Sequence, residues 1–136
     1  MKEIKRDIYL NRLISRKENG LIKIVTGIRR CGKSYLLDSL FKNHLIENGV
    51  KEDHIIKLEL DKIENEEYHN ASKLNEFIKS KIKDKNMYYI LLDEIQLVNG
   101  FESVLNGFLY ERNLDVYVTG SNSKFLSSDI IIEFRG

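Results

Sequence analysis

A chain of 136 residues is long enough for one domain with its own core. Hydrophobic residues at 42% and charged residues at 32% match an ordinary globular chain, and a net charge of +1 argues against strong non-specific attraction to nucleic acid. The single cysteine, Cys31, permits no internal disulfide; no apolar run reaches the length of a membrane span, and Met1-Lys2-Glu3-Ile4 does not read as a signal peptide. The expected setting is therefore the cytoplasm, with no membrane partner.

Residues 2–17 place Leu10, Leu13 and Ile14 at helical spacing, with Ile4 and Ile8 one to two turns earlier. An amphipathic helix is predicted, covering one face of a sheet or closing over a nucleotide base through Tyr9 or Ile8. Gly20 is the expected left-handed stop. Residues 21–26, Leu-Ile-Lys-Ile-Val-Thr, read as a buried strand.

Gly27-Ile28-Arg29-Arg30-Cys31-Gly32-Lys33-Ser34 follows, a G-x-x-x-x-G-K-S pattern between a strand and the apolar helix pattern of Leu36, Leu37, Leu40, Phe41 and Leu45. Strand, glycine loop and helix are the context in which this pattern makes a phosphate cradle. The glycines let successive N–H groups turn inward at an anion, and the helix start adds unpaired N–H groups. Lys33 is placed to reach terminal phosphate oxygens and Ser34 to ligate Mg²⁺. The candidate ATP-contacting set is Gly27, Ile28, Arg29, Arg30, Cys31, Gly32, Lys33, Ser34 and Tyr35. Arg29 and Arg30 also suit a DNA backbone, or simply solvent; Cys31 reads as a small spacer.

Beyond the Asn48-Gly49 turn, residues 54–60 read as a second strand with Asp61 just past it, and Glu64-Asn65-Glu66-Glu67 as an exposed loop. Residues 71–83 carry Leu74, Phe77, Ile78 and Ile82 on one helical stripe. Residues 87–93, Met-Tyr-Tyr-Ile-Leu-Leu-Asp, form a third strand, apolar throughout as a strand covered on both faces must be. Phe101, Val104, Leu105, Phe108 and Leu109 mark another helix, and residues 114–119 a fourth strand. The alternation predicts an α/β fold with a parallel sheet between helical layers. His44, His54 and His69 have no metal-ligand spacing with one another or with Cys31.

In such sheets ligands gather at the carboxyl ends of the strands. There the third strand presents Asp93, a candidate Mg²⁺ ligand together with Ser34, and Glu94, a candidate base for an attacking water. The fourth ends in Thr119-Gly120-Ser121-Asn122, where Ser121 or Asn122 is the candidate sensor of the terminal phosphate.

Taken together, the glycine loop, Leu91-Leu92-Asp93-Glu94-Ile95-Gln96, Thr119-Gly120-Ser121-Asn122 and Glu133-Phe134-Arg135-Gly136 resemble a prokaryotic AAA-type P-loop ATPase family. The resemblance implies a three-layer P-loop fold with strand order 5-1-4-3-2 and Mg²⁺-dependent ATP hydrolysis with Lys33, Glu94 and Ser121 or Asn122 as catalytic residues. It also implies that residues 1–136 are the amino-terminal part of an ATPase core. The fifth strand is then missing or replaced by Ile130-Ile131-Ile132-Glu133-Phe134, and lid and carboxyl-terminal domain are absent. Arg135 is either a remnant nucleotide-sensing arginine or an ordinary surface residue. A nucleotide-gated binding module, a DNA-associated regulator and a catalytically silent fragment are the alternatives, with homo-oligomerisation and DNA association as open partner classes.

Overall fold

The computed structural model describes residues 2–26, 35–120 and 131–134. Strand β3 (Tyr88–Asp93) is buried at every position. Its alternate side chains serve two cores: Tyr88, Ile90 and Leu92 on one face, Tyr89 and Leu91 on the other. Around it lie β1 (Ile22–Val25), β2 (Ile55–Glu59), β4 (Leu114–Thr119) and β5 (Ile131–Phe134), in the order β2-β3-β4-β1-β5. The first four run parallel, in the predicted order. Beside β1, the outer position is taken by β5, which runs antiparallel with Ile22 opposite Phe134 and Val25 opposite Ile131. The expected replacement strand is therefore present, in reversed direction.

Helix α1 (Lys2–Ser15) sends Tyr9 and Leu13 into the second core. Tyr9 is thereby a packing residue, in keeping with the plainer of the two expectations for this helix. The same core takes Leu36, Leu37, Phe41 and Leu45 from the helix after the glycine-rich segment. Within that helix Leu36–Phe41 is a π-helix, with the Lys42 N–H reaching back to the Leu37 carbonyl; α2 (Lys42–Glu47) continues it. The wider turn brings Leu36, Leu37 and Phe41, spaced four and five apart, to one buried face.

On the opposite face, α3 (Ala71–Lys81) buries Leu74 and Ile78, and α4 (Phe101–Leu109) buries Phe101, Val104, Leu105 and Phe108. The Asn70 side chain caps α3 by accepting from the Lys73 N–H at 3.0 Å. Residues Ile63–His69, anticipated in part as an exposed loop, form a 3₁₀ helix; His69 Nε2 lies 2.6 Å from the Leu60 carbonyl oxygen and ties this helix to the end of β2.

At the amino ends of the strands lies a buried ion pair. Lys23 on β1 is wholly buried, and its Nζ donates to Asp115 Oδ1 at 2.7 Å, the Leu21 carbonyl at 2.6 Å and Asn19 Oδ1 at 3.1 Å. Asp115 Oδ2 accepts from the Tyr117 hydroxyl at 2.5 Å and the Glu18 N–H at 2.9 Å. Burial, reinforced by the Asp115 carboxylate, pushes the Tyr117 phenol well above its ordinary range and keeps it a donor. Every ammonium proton of Lys23 has an acceptor, the condition under which a buried charge is tolerated.

Candidate functional site

The opposite, carboxyl-terminal edge collects polar groups that the apolar strands do not need for packing. Asp93 ends β3 and Glu94 follows it, both buried. Thr119, at the end of β4, is fully buried between them. Its hydroxyl donates to Asp93 Oδ1 and accepts from the Glu94 N–H at 2.9 Å. Glu94 adopts φ 61° and ψ 54°, the left-handed region that a residue with a Cβ seldom enters. Gln96 Nε2 donates to Glu94 Oε1 at 2.7 Å, so backbone and carboxylate of Glu94 are held from two directions.

Strand β1 delivers the chain to the same edge. Val25, its last residue, is paired with Thr119, and the Gly120 N–H donates to the Val25 carbonyl at 3.2 Å. Strand β1, which precedes the glycine-rich segment in the sequence, therefore ends beside Thr119, two strands from Asp93. Residues 27–34, Ser121, Asn122 and Arg135 lie outside the described residues; Tyr35 is exposed at the head of the π-helix. Of the predicted site residues, Asp93 and Glu94 are thus placed together at this edge.

Two acids unforeseen from the sequence join them. Asp38, on the π-helix, and Glu59, ending β2, present carboxylate oxygens that lie within 4.8 Å of each other and of Asp93. Burial pushes Asp38 up to about 7, helped by its hydrogen bond to Glu59, against the pull of Lys57 at 3.9 Å. Glu59 is held below its ordinary range, first by the bond from Asp38 and then by Lys62 at 2.7 Å. An oxygen-only donor set of this kind suits a hard divalent cation such as Mg²⁺. A signal for Glu59 was available: it ends its strand as Asp93 ends β3. Asp38 interrupts the apolar Leu36-Leu37 run.

The histidines lie elsewhere. His44 stacks against Phe41, His69 meets a backbone carbonyl, and His54 sits between Asp53 and Asp84 at 2.7 and 2.9 Å, its ring stacked on Tyr88.

A sequence-family comparison matches residues 19–136, most of the chain, to the AAA domain. The chain belongs to the AAA domain family. Two relatives extend the picture without assigning a role. An uncharacterized protein of Haemophilus influenzae is 33% identical over 134 residues, covering 98% of this chain and 33% of that protein. An uncharacterized protein of Methanocaldococcus jannaschii is 32% identical over 139 residues, covering 99% and 28%. The AAA domain chain thus spans about a third of the length of the curated relatives it matches. No solved structure matches it significantly. Nucleotide binding is what membership implies; among the described residues, no helix is long and apolar enough to cross a membrane.

Proposed function

We propose that this AAA domain binds ATP with Mg²⁺ and hydrolyses it. The observation that carries the reading is the convergence at one sheet edge: the strand feeding the G-x-x-x-x-G-K-S segment ends beside Thr119, which is itself bonded to both Asp93 and Glu94.

In this reading the N–H groups of residues 27–34 wrap the phosphates, and Lys33 stabilises charge on the transferred phosphoryl group. Ser34 and Asp93 would hold Mg²⁺, with Asp38 and Glu59 as the neighbouring oxygen donors. Bound Mg²⁺ would neutralise charge on the phosphate oxygens. Ser121 or Asn122 orients a water, which adds to the terminal phosphorus while its proton passes to Glu94. The bond to the bridging oxygen breaks, leaving ADP and phosphate. Near-complete burial shields Glu94 from bulk water, and the Gln96 amide keeps its carboxylate in one orientation.

Glu94→Gln, assayed beside the parent chain, tests the assignment. Turnover is expected to fall at least about a hundredfold, the scale of a lost general base, while ATP affinity by calorimetry stays within about twofold. Unchanged turnover removes Glu94 from the role of base. A parent chain that neither binds nor hydrolyses ATP, matching its Lys33→Ala variant, refutes the whole reading.

A further inference from the structure

We propose that Thr119 is a positioning residue that locks the Asp93–Glu94 turn into its working conformation, a role that rests on the ATPase reading above. Thr119 has no exposed surface, so its hydroxyl cannot meet a nucleotide and any effect must pass through its partners. Those partners are the two acids of the candidate site. One hydroxyl both donates to Asp93 Oδ1 and accepts from the Glu94 N–H, using its proton and a lone pair at once. Committing one Asp93 oxygen to Thr119 fixes the rotation of that carboxylate about its bond to Cβ.

The second contact bears on Glu94. A residue with a Cβ stays in the left-handed region only where its surroundings hold it, and the Thr119 oxygen is the acceptor for the Glu94 N–H there. If the turn relaxed to an ordinary backbone conformation, the Glu94 side chain would swing off its present course and away from Gln96. Thr119 therefore couples β4 to the orientation of both acids. This differs from the role expected of Ser121 or Asn122, which would touch the nucleotide side directly.

The experiment compares the parent chain with Thr119→Val, which keeps the shape and loses the hydroxyl, and Thr119→Ser, which keeps the hydroxyl. The first readout is the amide hydrogen-exchange rate of Glu94 by NMR without nucleotide, referenced to core amides of β3. The second is ATP turnover against Mg²⁺ concentration. In Thr119→Val, Glu94 exchange is expected to accelerate about tenfold relative to the core amides, the consequence of a lost local bond. Turnover should fall and the half-maximal Mg²⁺ concentration rise about 10- to 100-fold, with KM for ATP at saturating Mg²⁺ within about twofold. Thr119→Ser should restore both readouts. Unchanged Glu94 exchange overturns the proposal whether or not the chain is an ATPase. Faster exchange with unchanged turnover and Mg²⁺ dependence overturns the catalytic role. A parent chain without turnover overturns the ATPase reading, and the role for Thr119 with it, and is distinguishable because the parent itself fails. If the valine variant does not fold, Thr119→Cys, a weaker donor of similar size, is read by the same two measurements.

Discussion

Replacing Lys23 by methionine should cost the fold about 3 kcal/mol, toward the low end of the range for breaking a buried ion pair. Methionine fills the space of the lysine stem, so the loss is electrostatic and not a cavity effect. Three hydrogen bonds from Nζ disappear, at 2.7, 2.6 and 3.1 Å, and the Asp115 carboxylate stays buried. The Tyr117 hydroxyl and the Glu18 N–H still donate to Asp115, which holds the cost toward the lower figure. With a urea m-value of about 2 kcal/mol/M, the midpoint should drop by about 1.5 M. Adding Asp115→Asn removes the stranded charge but keeps an acceptor for Tyr117, and should recover about half of the loss. The assay is equilibrium urea unfolding followed by circular dichroism. A Lys23→Met loss below about 1 kcal/mol, or a double variant whose losses simply add, refutes the claim that the pair acts as one unit.

Other predictions concern pH and two glycines. Hydrogen bonding to Asp53, followed by Asp84, raises His54 above its ordinary value. The stabilisation from His54 is therefore full below about pH 6.5, its unfolded value, and is lost as pH rises through the higher folded value. Melting curves should show parent and His54→Asn diverging in acid and converging as pH rises through the folded value; a gap independent of pH would refute the assignment. Gly100 sits at φ +75° at the start of α4 with open space around it, so Gly100→Ala meets only backbone strain, about 1–2 kcal/mol. Gly107, inside α4 and equally open, should respond oppositely: Gly107→Ala is expected to stabilise by about 0.5–1 kcal/mol. Thermal unfolding of the two variants, one falling and one rising in Tm, checks both.

The strands and the main helices were legible because their apolar residues follow the periods of two and 3.6 that burial on a sheet or a helix face imposes. Asp93 and Glu94 stood out for the same reason, as charges where a fully apolar run stops. Thr119 did not, since threonine is at home in any strand and its two bonds depend on how β3 and β4 lie side by side, which spacing along one strand does not encode. Glu59 and Asp38 are likewise far apart in sequence and meet only through the sheet and the helix packed on it. The π-turn at Leu36–Phe41 answers to the combined packing of Leu36, Leu37 and Phe41, and an α-helical reading of the same residues is locally just as good. The direction of β5 was illegible because the pattern Ile-Ile-Glu-Phe over Ile131–Phe134 suits a strand running either way.

The sheet order also has a consequence for how the chain assembles during synthesis. Strand β1 leaves the ribosome before the other strands, yet both of its neighbours arrive late: β4 begins at Leu114 and β5 at Ile131. Strands β2 and β3 pair with each other well before that. A strand whose partners are so distant along the chain closes its contacts late and slowly, leaving Ile22, Ile24 and Val25 in need of temporary cover while translation proceeds. The glycine motif follows that strand directly in the sequence. A nascent chain stalled before Leu114 would therefore carry the glycine motif behind a strand that still lacks both of its partners.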